Sequence, residues 1–338
     1  MKEQLAAVLL PVLGEVSVEN LHALTGGASR TTWAFDARLQ AESASGGDPV
    51  RSLILRTGPP DDVHAGMELE AAVQQRAAAA GAPVPHILAA DNSPAALGNP
   101  YLICDAIGGE TIVRRIQRAL DEPGRERLLQ PCAQALAAIH RSDPDGMGLT
   151  DVDQLTEWRQ RLDDMGDTTA TFEWAFRWLD AHRPAPSPSR LVHGDFRMGN
   201  LIVDGSGLAA VLDWELVHIG EPYEDLAWFS IRAWRFGAPE HLGAGGLGSV
   251  ESFLSAYEAA AGVPVDRETF RWWLTLATLR WGVICRFQAE RHLSGHTPSV
   301  ELAAIGRRVS ETEWDLLDLL SGGQERSDPG IRRSGGPP

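Results

Sequence analysis

The sequence predicts an α+β protein of two lobes, a small β-rich N-terminal lobe and a larger helical C-terminal lobe. Length is the first reason, since 338 residues exceed one ordinary domain and suit two. Order is the second: segments with strand character fall mostly in the first third, and helical spacing dominates the rest. Exclusion is the third, because no internal repeat and no strand–GxGxxG–helix unit is present. The expected division is 1–107, 108–321 and a tail 322–338, which has too few apolar residues to bury and is expected to be disordered.

Residues 1–22 are expected to form an amphipathic helix interrupted near Pro11. Trp33, Phe35, Ala37 and Leu39 then alternate with more polar neighbours, the period of a half-buried strand. Gly26 and Gly27, followed by Ser29, precede that strand, and a glycine pair lets backbone approach a phosphate closely. Ala41–Pro49 reads as a hairpin loop, and strand Val50–Arg56 ends in a cation. An Ala-rich helix over His64–Ala80 carries Glu68 and Glu70 and stops at Gly81. Strand Tyr101–Ile107 runs into Gly108-Gly109.

Arg125–His140 has helical spacing, with His140 expected to pack and cap at its end. The aromatic stretch Trp158, Phe172, Trp174, Phe176 and Trp178 suits helix packing or an acceptor wall, and Pro184–Pro188 is a rigid lead-in. Glu224-Asp225-Leu226-Ala227-Trp228-Phe229 opens a helix in which Asp225 is either an N-terminal helix acid or a brace for the preceding loop. Gly237–Gly248 reads equally as a mobile loop or a linker. Ser249–Gly262, Asp266–Arg291 and Ser299–Leu320 read as helices, with Trp272, Trp273, Trp281 and Trp314 in the core.

Charge and cysteine usage exclude several classes. Forty-six acidic against 30 basic residues, a net −16, argue against a nucleic-acid-binding surface, which would need a basic face. Cys104, Cys132 and Cys285 are far apart in apolar runs, which argues against zinc or a disulfide framework and suits reduced, buried thiols in a cytoplasmic protein. The N-terminal LAAVLLPVLG follows Glu3 and lacks a cleavage site, and Arg280 and Arg286 interrupt the apolar run 271–287, so no membrane partner is expected. The sequence sets no oligomeric state.

Chemistry concentrates in Leu191–Glu215, LVHGDFRMGNLIVDGSGLAAVLDWE. Two apolar strands joined by a glycine-containing turn make a hairpin, with a polar loop before it and Asp213 and Glu215 after it. Asp195, Asn200 and Asp213 offer hard oxygens, the ligand type that Mg²⁺ prefers. His193-Gly194-Asp195 with Asn200 reproduces the H-x-D-x-x-x-x-N spacing of a kinase catalytic loop, and Asp213 arrives where kinases place a second metal-binding aspartate. In that template Asp195 accepts the proton of an attacking hydroxyl, while Asn200 and Asp213 hold the metal on the nucleotide phosphates.

HGD-x-x-x-x-N followed by L-D-W-E resembles the aminoglycoside phosphotransferase and choline kinase superfamily, over roughly residues 20 to 320. The L-R-x-x-P at Leu55–Pro59 and the E-D-L-A-W stretch look most like its branch of kinase-like domains associated with acyl-CoA dehydrogenases. The resemblance implies a protein-kinase-like fold and an ATP-dependent kinase, with GTP as the alternative nucleotide and Mg²⁺ as cofactor. It implies a small-molecule hydroxyl acceptor, a hydroxyacyl compound in the branch reading or an antibiotic in the aminoglycoside one. It places Gly26, Gly27 and Ser29 over the nucleotide and backbone near Asp105 and Ile107 on the adenine. Arg56 stands where kinases carry a lysine; arginine keeps its charge and offers a planar fork suited to phosphate. The family spacing makes Glu70, rather than Glu68, its partner. Glu215 is an outer-sphere or second-metal group, and Arg197 either offsets phosphoryl charge or closes a salt bridge within the loop. The competing class is a nucleotide-binding pseudokinase without turnover, suggested by Arg56 in place of lysine.

Overall fold

The computed structural model describes residues 1–24, 30–40, 50–58, 65–205 and 207–321. Gly26, Gly27, Ser29 and the tail 322–338 lie outside the described residues. The fold is a small antiparallel-sheet N-lobe and a helical C-lobe, as expected from the order of the segments. By Cα proximity the chain divides into two compact units, Met1–Asp151 with Ser187–Ser230 and Trp234–Val265, and Val152–Pro186 with Ile231–Ala233 and the described residues from Asp266 on.

The first unit opens with α1 (Lys2–Leu13), β1 (Val16–Ala23), β2 (Thr31–Leu39), β3 (Val50–Thr57), α2 (Met67–Ala79), β4 (Ile87–Asp91) and β5 (Tyr101–Asp105). The strands form one sheet in the order β1-β2-β3-β5-β4, every neighbour antiparallel. The helix expected over 1–22 stops at Leu13, and from Val16 on that stretch is β1. Val16 and Val18 are buried while Ser17 between them is not, a period of two that helical reading overlooked.

Strand alternation assigns the two faces of this sheet. Leu53 and Leu55 of β3, Phe35 and Ala37 of β2, and Tyr101 and Ile103 of β5 pack with Leu5 and Leu9 of α1. Leu102 and Cys104 of β5 pack on the other face with Met67 and Ala71 of α2. Arg56 follows Leu55, so it belongs to the α2 face. The same burial holds Met67, Glu70, Ala71 and Gln74 on one stripe of α2.

The unit continues with α3 (Val113–Ala119) and α4 (Glu122–Arg141). A short strand β6 (Arg190–Val192), the hairpin β7 (Leu201–Asp204) and β8 (Gly207–Val211), and β9 (His218–Gly220) follow. β6 pairs with β9, and β7 with β8. Helices α5 (Gln154–Asp164) and α6 (Ala170–Ala181) lie between α4 and β6 in the chain and belong to the second unit. After β9 come α7 (Tyr223–Ser230) and α8 (Val250–Ala261).

The second half of the glycine-rich segment Gly237–Gly248 is packed, while its first half is exposed or half-buried. Residues 243–247 are buried, and Ala244 and Gly248 are bridged by a backbone hydrogen bond of 3.0 Å. Gly245 sits at φ 59°, and a Cβ added there would overlap the Phe229 ring. Gly245→Ala is expected to lower stability by about 2 kcal/mol or more through left-handed strain and overlap together. Urea unfolding followed by tryptophan fluorescence measures it, and an unchanged midpoint would refute the packing argument.

The second unit contains α5, α6, α9 (Arg267–Leu293), α10 (Val300–Gly306) and α11 (Val309–Ser321). Trp272 and Trp273 of α9 are buried, and Trp272 Nε1 donates to Leu179 O at 2.8 Å. Trp314 corrects the expectation of a core tryptophan: it is 68% exposed. Thr312 and Leu316, four apart, form the buried stripe of α11, and Trp314 lies between them on the other side. The single helix expected over Ser299–Leu320 is two, broken after Gly306, where a side chain would overlap Ala289. Among the described residues no helix is long and apolar enough to cross a membrane. The three cysteines are free and buried, and burial pushes each thiol up to about 12.

Candidate active site

Every element of the candidate site lies in the first unit. β6 ends at Val192, and the loop after it is anchored from both sides. Phe196 and Met198 are fully buried, so Arg197 between them is turned the other way. His193 is fully buried, its Nε2 3.0 Å from Leu212 O at the end of the hairpin. A short 3-10 turn, Met198–Asn200, leads into β7. The Leu212 N–H donates to Asn200 O at 2.8 Å, so the two ends of the hairpin, and with them Asn200 and Asp213, are adjacent.

Asp225 of α7 braces this loop. Its Oδ2 accepts from His193 N at 2.8 Å and its Oδ1 from Gly194 N at 3.0 Å. His140, at the end of α4, approaches Oδ2 through Nε2 at 3.1 Å and Tyr257 Oη through Nδ1 at 2.8 Å. An ionised carboxylate only accepts, so Nε2 carries the proton. Burial alone would raise the Asp225 pKa, but the hydrogen bond and charge of His140, with His193 and its backbone N–H, hold it below the ordinary carboxylate value. The role expected of His140, packing at a helix end, is sharpened to orienting a buried aspartate.

Gly194 is at φ 81°, and a Cβ there would overlap Leu216 O. Gly194→Ala is therefore expected to destabilise the protein by about 1–3 kcal/mol and to displace Asp195. Denaturant unfolding reads the first effect, and a variant as stable as the parent would contradict it.

Three donors converge on the Asp195 carboxylate. Trp228 Nε1 donates to Oδ1 at 2.7 Å, Asn200 Nδ2 to Oδ2 at 2.7 Å, and Arg197 Nε lies 3.1 Å from both oxygens. The Arg197 guanidinium stacks over Trp234, 4.9 Å from the ring centroid. Of the two readings of Arg197, the salt bridge within the loop is present. Trp228 was not singled out as a site residue by sequence reasoning. Its signal is its position on α7: Asp225 and Trp228 are three apart and share the helix face turned to the loop.

Arg56 and Glu70 are brought together. Arg56 Nη1 donates to Glu70 Oε2 at 2.9 Å, and Nη2 to Asp213 Oδ1 at 2.9 Å. Glu215 Oε2 is 4.0 Å from Arg56 Nη2. Glu68 is exposed and pairs with Asn92, away from this cluster. Arg30, missed in the sequence, is a second cation here: its Nη1 is 2.9 Å from Glu70 Oε1. That contact is ionic rather than aligned, because Oε1 receives no well-directed hydrogen bond. Burial pushes the Glu70 carboxyl above its ordinary range against the pull of Arg56 and Arg30. Burial by itself would lower Arg56, and Glu70, Asp213 and Glu215 more than reverse it, holding the guanidinium above its usual value.

Asp105 ends β5, its side chain gripped by Arg51 at 2.6 and 2.8 Å. Its N–H donates to His86 O at 3.0 Å, and Ile107 follows two residues on. Among the described residues, neither of these two hydrogen-bonds to the Asp195 group or to the Arg56 group.

The donor set suits Mg²⁺. Asn200 Nδ2 faces a carboxylate and a carbonyl, Asp195 O at 2.9 Å, so only the amine fits there and Oδ1 is the face turned elsewhere. Asn200 Oδ1 and the Asp213 carboxylate are hard oxygens on adjacent backbone, and Asp213 is held at φ 66°. Two protein ligands are enough for an ion that takes its other oxygens from water and phosphates. Among the described residues no group of three or more His, Cys, Asp or Glu forms a self-sufficient metal cage.

The profile described as the phosphotransferase enzyme family matches residues 20–273. Acyl-CoA dehydrogenase family member 10 of Mus musculus is 26% identical over 295 residues, 79% of this chain and 27% of its own length. The chain spans about a third of the length of the curated relatives it matches. A Ralstonia eutropha JMP134 protein, provisionally named an aminoglycoside phosphotransferase, superimposes with a TM-score of 0.73 at 20% identity, covering 94% of this chain and 98% of that one. A thermostable mutant of aminoglycoside phosphotransferase APH(4)-Ia, solved with AMP-PNP and hygromycin B, gives a TM-score of 0.58 at 18% identity, covering 95% of this chain and 99% of that one. Both structures show likeness of fold.

Proposed function

The chain belongs to the phosphotransferase enzyme family and is a kinase-like phosphotransferase, and from that premise we propose that it moves the γ-phosphoryl of ATP, with Mg²⁺, to a hydroxyl of a small molecule. The observation that carries this reading is the gathering of Asp195, Asn200, Asp213, Arg56 and Glu70 into one neighbourhood by contacts of 2.7–2.9 Å. ATP is favoured over GTP because the similar APH(4)-Ia was solved with AMP-PNP.

In this reading residues 1–107 bind nucleotide and 108–321 bind acceptor. Backbone near Asp105 and Ile107 takes the adenine, and Gly26, Gly27 and Ser29 cover the phosphates. Arg56 neutralises phosphate charge and Glu70 orients Arg56. Asn200 Oδ1 and Asp213 hold Mg²⁺, which supplies charge neutralisation on the phosphates when bound. Asp195, fixed by Trp228, Asn200 and Arg197, orients the acceptor hydroxyl and takes its proton at the oxygen facing it. Arg197 adds positive potential beside the developing charge.

A hydroxyacyl acceptor is the preferred class, supported by likeness to proteins named for acyl-CoA dehydrogenases. A second reading, an antibiotic acceptor, is favoured by the likeness to a phosphotransferase solved with hygromycin B. Purified protein incubated with Mg-ATP and a metabolite extract, read by mass spectrometry, tests both. A phosphorylated acyl compound absent from an Asp195→Asn control supports the first. Phosphorylated hygromycin B without an endogenous product supports the second, and no product above the control in either arm leaves only a pseudokinase.

A further inference from the structure

Arg30 is the first described residue after the glycine-rich stretch, and its side chain is only 9% exposed. Its guanidinium reaches in three directions. Nη2 donates to Ala65 O at 2.7 Å, Nη1 is 2.9 Å from Glu70 Oε1 and 2.7 Å from Met67 Sδ, and Nε is 3.7 Å from Glu215 Oε2. Ala65 in turn donates its N–H to Glu215 O at 2.9 Å. Arg30 therefore ties the entry of α2 to the segment after the catalytic hairpin.

The stoichiometry of the cluster gives this contact its meaning. Glu70 is fully buried and holds one guanidinium on each oxygen, Arg30 on Oε1 and Arg56 on Oε2. Arg56 is simultaneously committed to Asp213 at 2.9 Å and lies 4.0 Å from Glu215. A buried carboxylate deprived of its only counter-charge is strongly unfavourable. If Arg56 alone faced Glu70 and Asp213, phosphate oxygens would compete with two carboxylates for one guanidinium. With Arg30 on Oε1 of Glu70, turning Nη2 of Arg56 from Asp213 to phosphate exchanges one anion for another. The Asp213 oxygen so released would be one of the oxygens able to hold a metal ion.

We propose that Arg30 is a positioning residue of the phosphotransfer site: by neutralising Glu70 it frees Arg56 to exchange Asp213 for the phosphate oxygens of the nucleotide. This rests on the phosphotransferase reading, and Arg30 acts through Glu70 rather than touching nucleotide.

A double-mutant cycle tests it, with Mg-ATP affinity measured by calorimetry and unfolding measured without nucleotide. Arg30→Met is expected to weaken Mg-ATP binding by about ten-fold in the parent. In a Glu70→Gln background, where the buried group no longer needs a cation, the same change is expected to cost less than about three-fold. Arg30→Lys, which keeps the charge, is expected to restore most of the affinity. Should Arg30→Met fail to fold, Arg30→Gln carries the same comparison, since its amide can still donate to Ala65 O. Equal losses in both backgrounds would mean that Arg30 only packs the entry of α2 and would overturn the proposal, as would unchanged affinity. A parent protein that binds no Mg-ATP would overturn the phosphotransferase reading and the proposal with it. Normal parent binding with unaltered variants overturns the Arg30 proposal alone.

Discussion

Asp195→Asn is expected to lower phosphoryl transfer by about 10³-fold while leaving nucleotide affinity within about two-fold. The substitution is isosteric, so packing is kept and chemistry is removed. An amide cannot take the acceptor proton. It also presents an NH₂ group to a site where Trp228 Nε1, Asn200 Nδ2 and Arg197 Nε all point as donors, so one of these pairs becomes donor against donor. The Arg197 charge, stacked on Trp234, loses its counter-ion at the same time. Single-turnover ADP formation with the acceptor found in the metabolite screen measures the rate, and calorimetry measures the affinity. A variant that keeps more than about a tenth of the parent rate would remove Asp195 from the proton-accepting role.

Asp225→Ala is expected to lower stability by about 3–5 kcal/mol, the largest loss from a single side chain in this site. The change orphans the His193 and Gly194 backbone N–H groups and leaves His140 facing an empty space. All are buried, so water cannot readily replace the lost acceptor. The pH dependence carries a matching signature. Because the folded pKa of Asp225 is depressed below its ordinary 3.8, its contribution is fully present above that value and is lost as pH falls through the folded pKa. The parent should therefore lose stability in acid below about pH 4, and Asp225→Asn should lack that part of the slope. Urea unfolding across pH 3 to 7 measures both. A cost under about 1 kcal/mol, or identical acid profiles, would show that the loop does not depend on this carboxylate.

Much of this site is readable one residue at a time. His193, Asp195 and Asn200 are close in sequence, and a tight loop between strands keeps close residues close in space. Asp213 is legible because a two-stranded hairpin returns the chain to its starting point, a geometry that the GSG turn and apolar flanks dictate. Glu70 is legible only through the family resemblance, and the stripe of Met67, Ala71 and Gln74 explains why it, and not Glu68, turns inward.

What stayed hidden has a common cause. Residues 16–22 read as a continuation of the N-terminal amphipathic helix, and only pairing with β2 decides for strand. The glycines of 237–248 carry no mark distinguishing a mobile loop from a packed turn; the Phe229 ring lying against Gly245 decides that. Trp314 has the composition of a core residue and the position of a surface one.

The sequence by itself determined the chemistry available to this protein, because a carboxylate, an amide and a guanidinium keep their properties wherever the chain carries them. Tertiary structure alone decided who touches whom across long separations. Arg56 meets Asp213 over 157 positions, His140 meets Asp225 over 85, and Arg30 shares Glu70 with Arg56. Such contacts leave no local period or spacing, since they follow from how sheet, helix and hairpin faces pack and not from any rule along the chain.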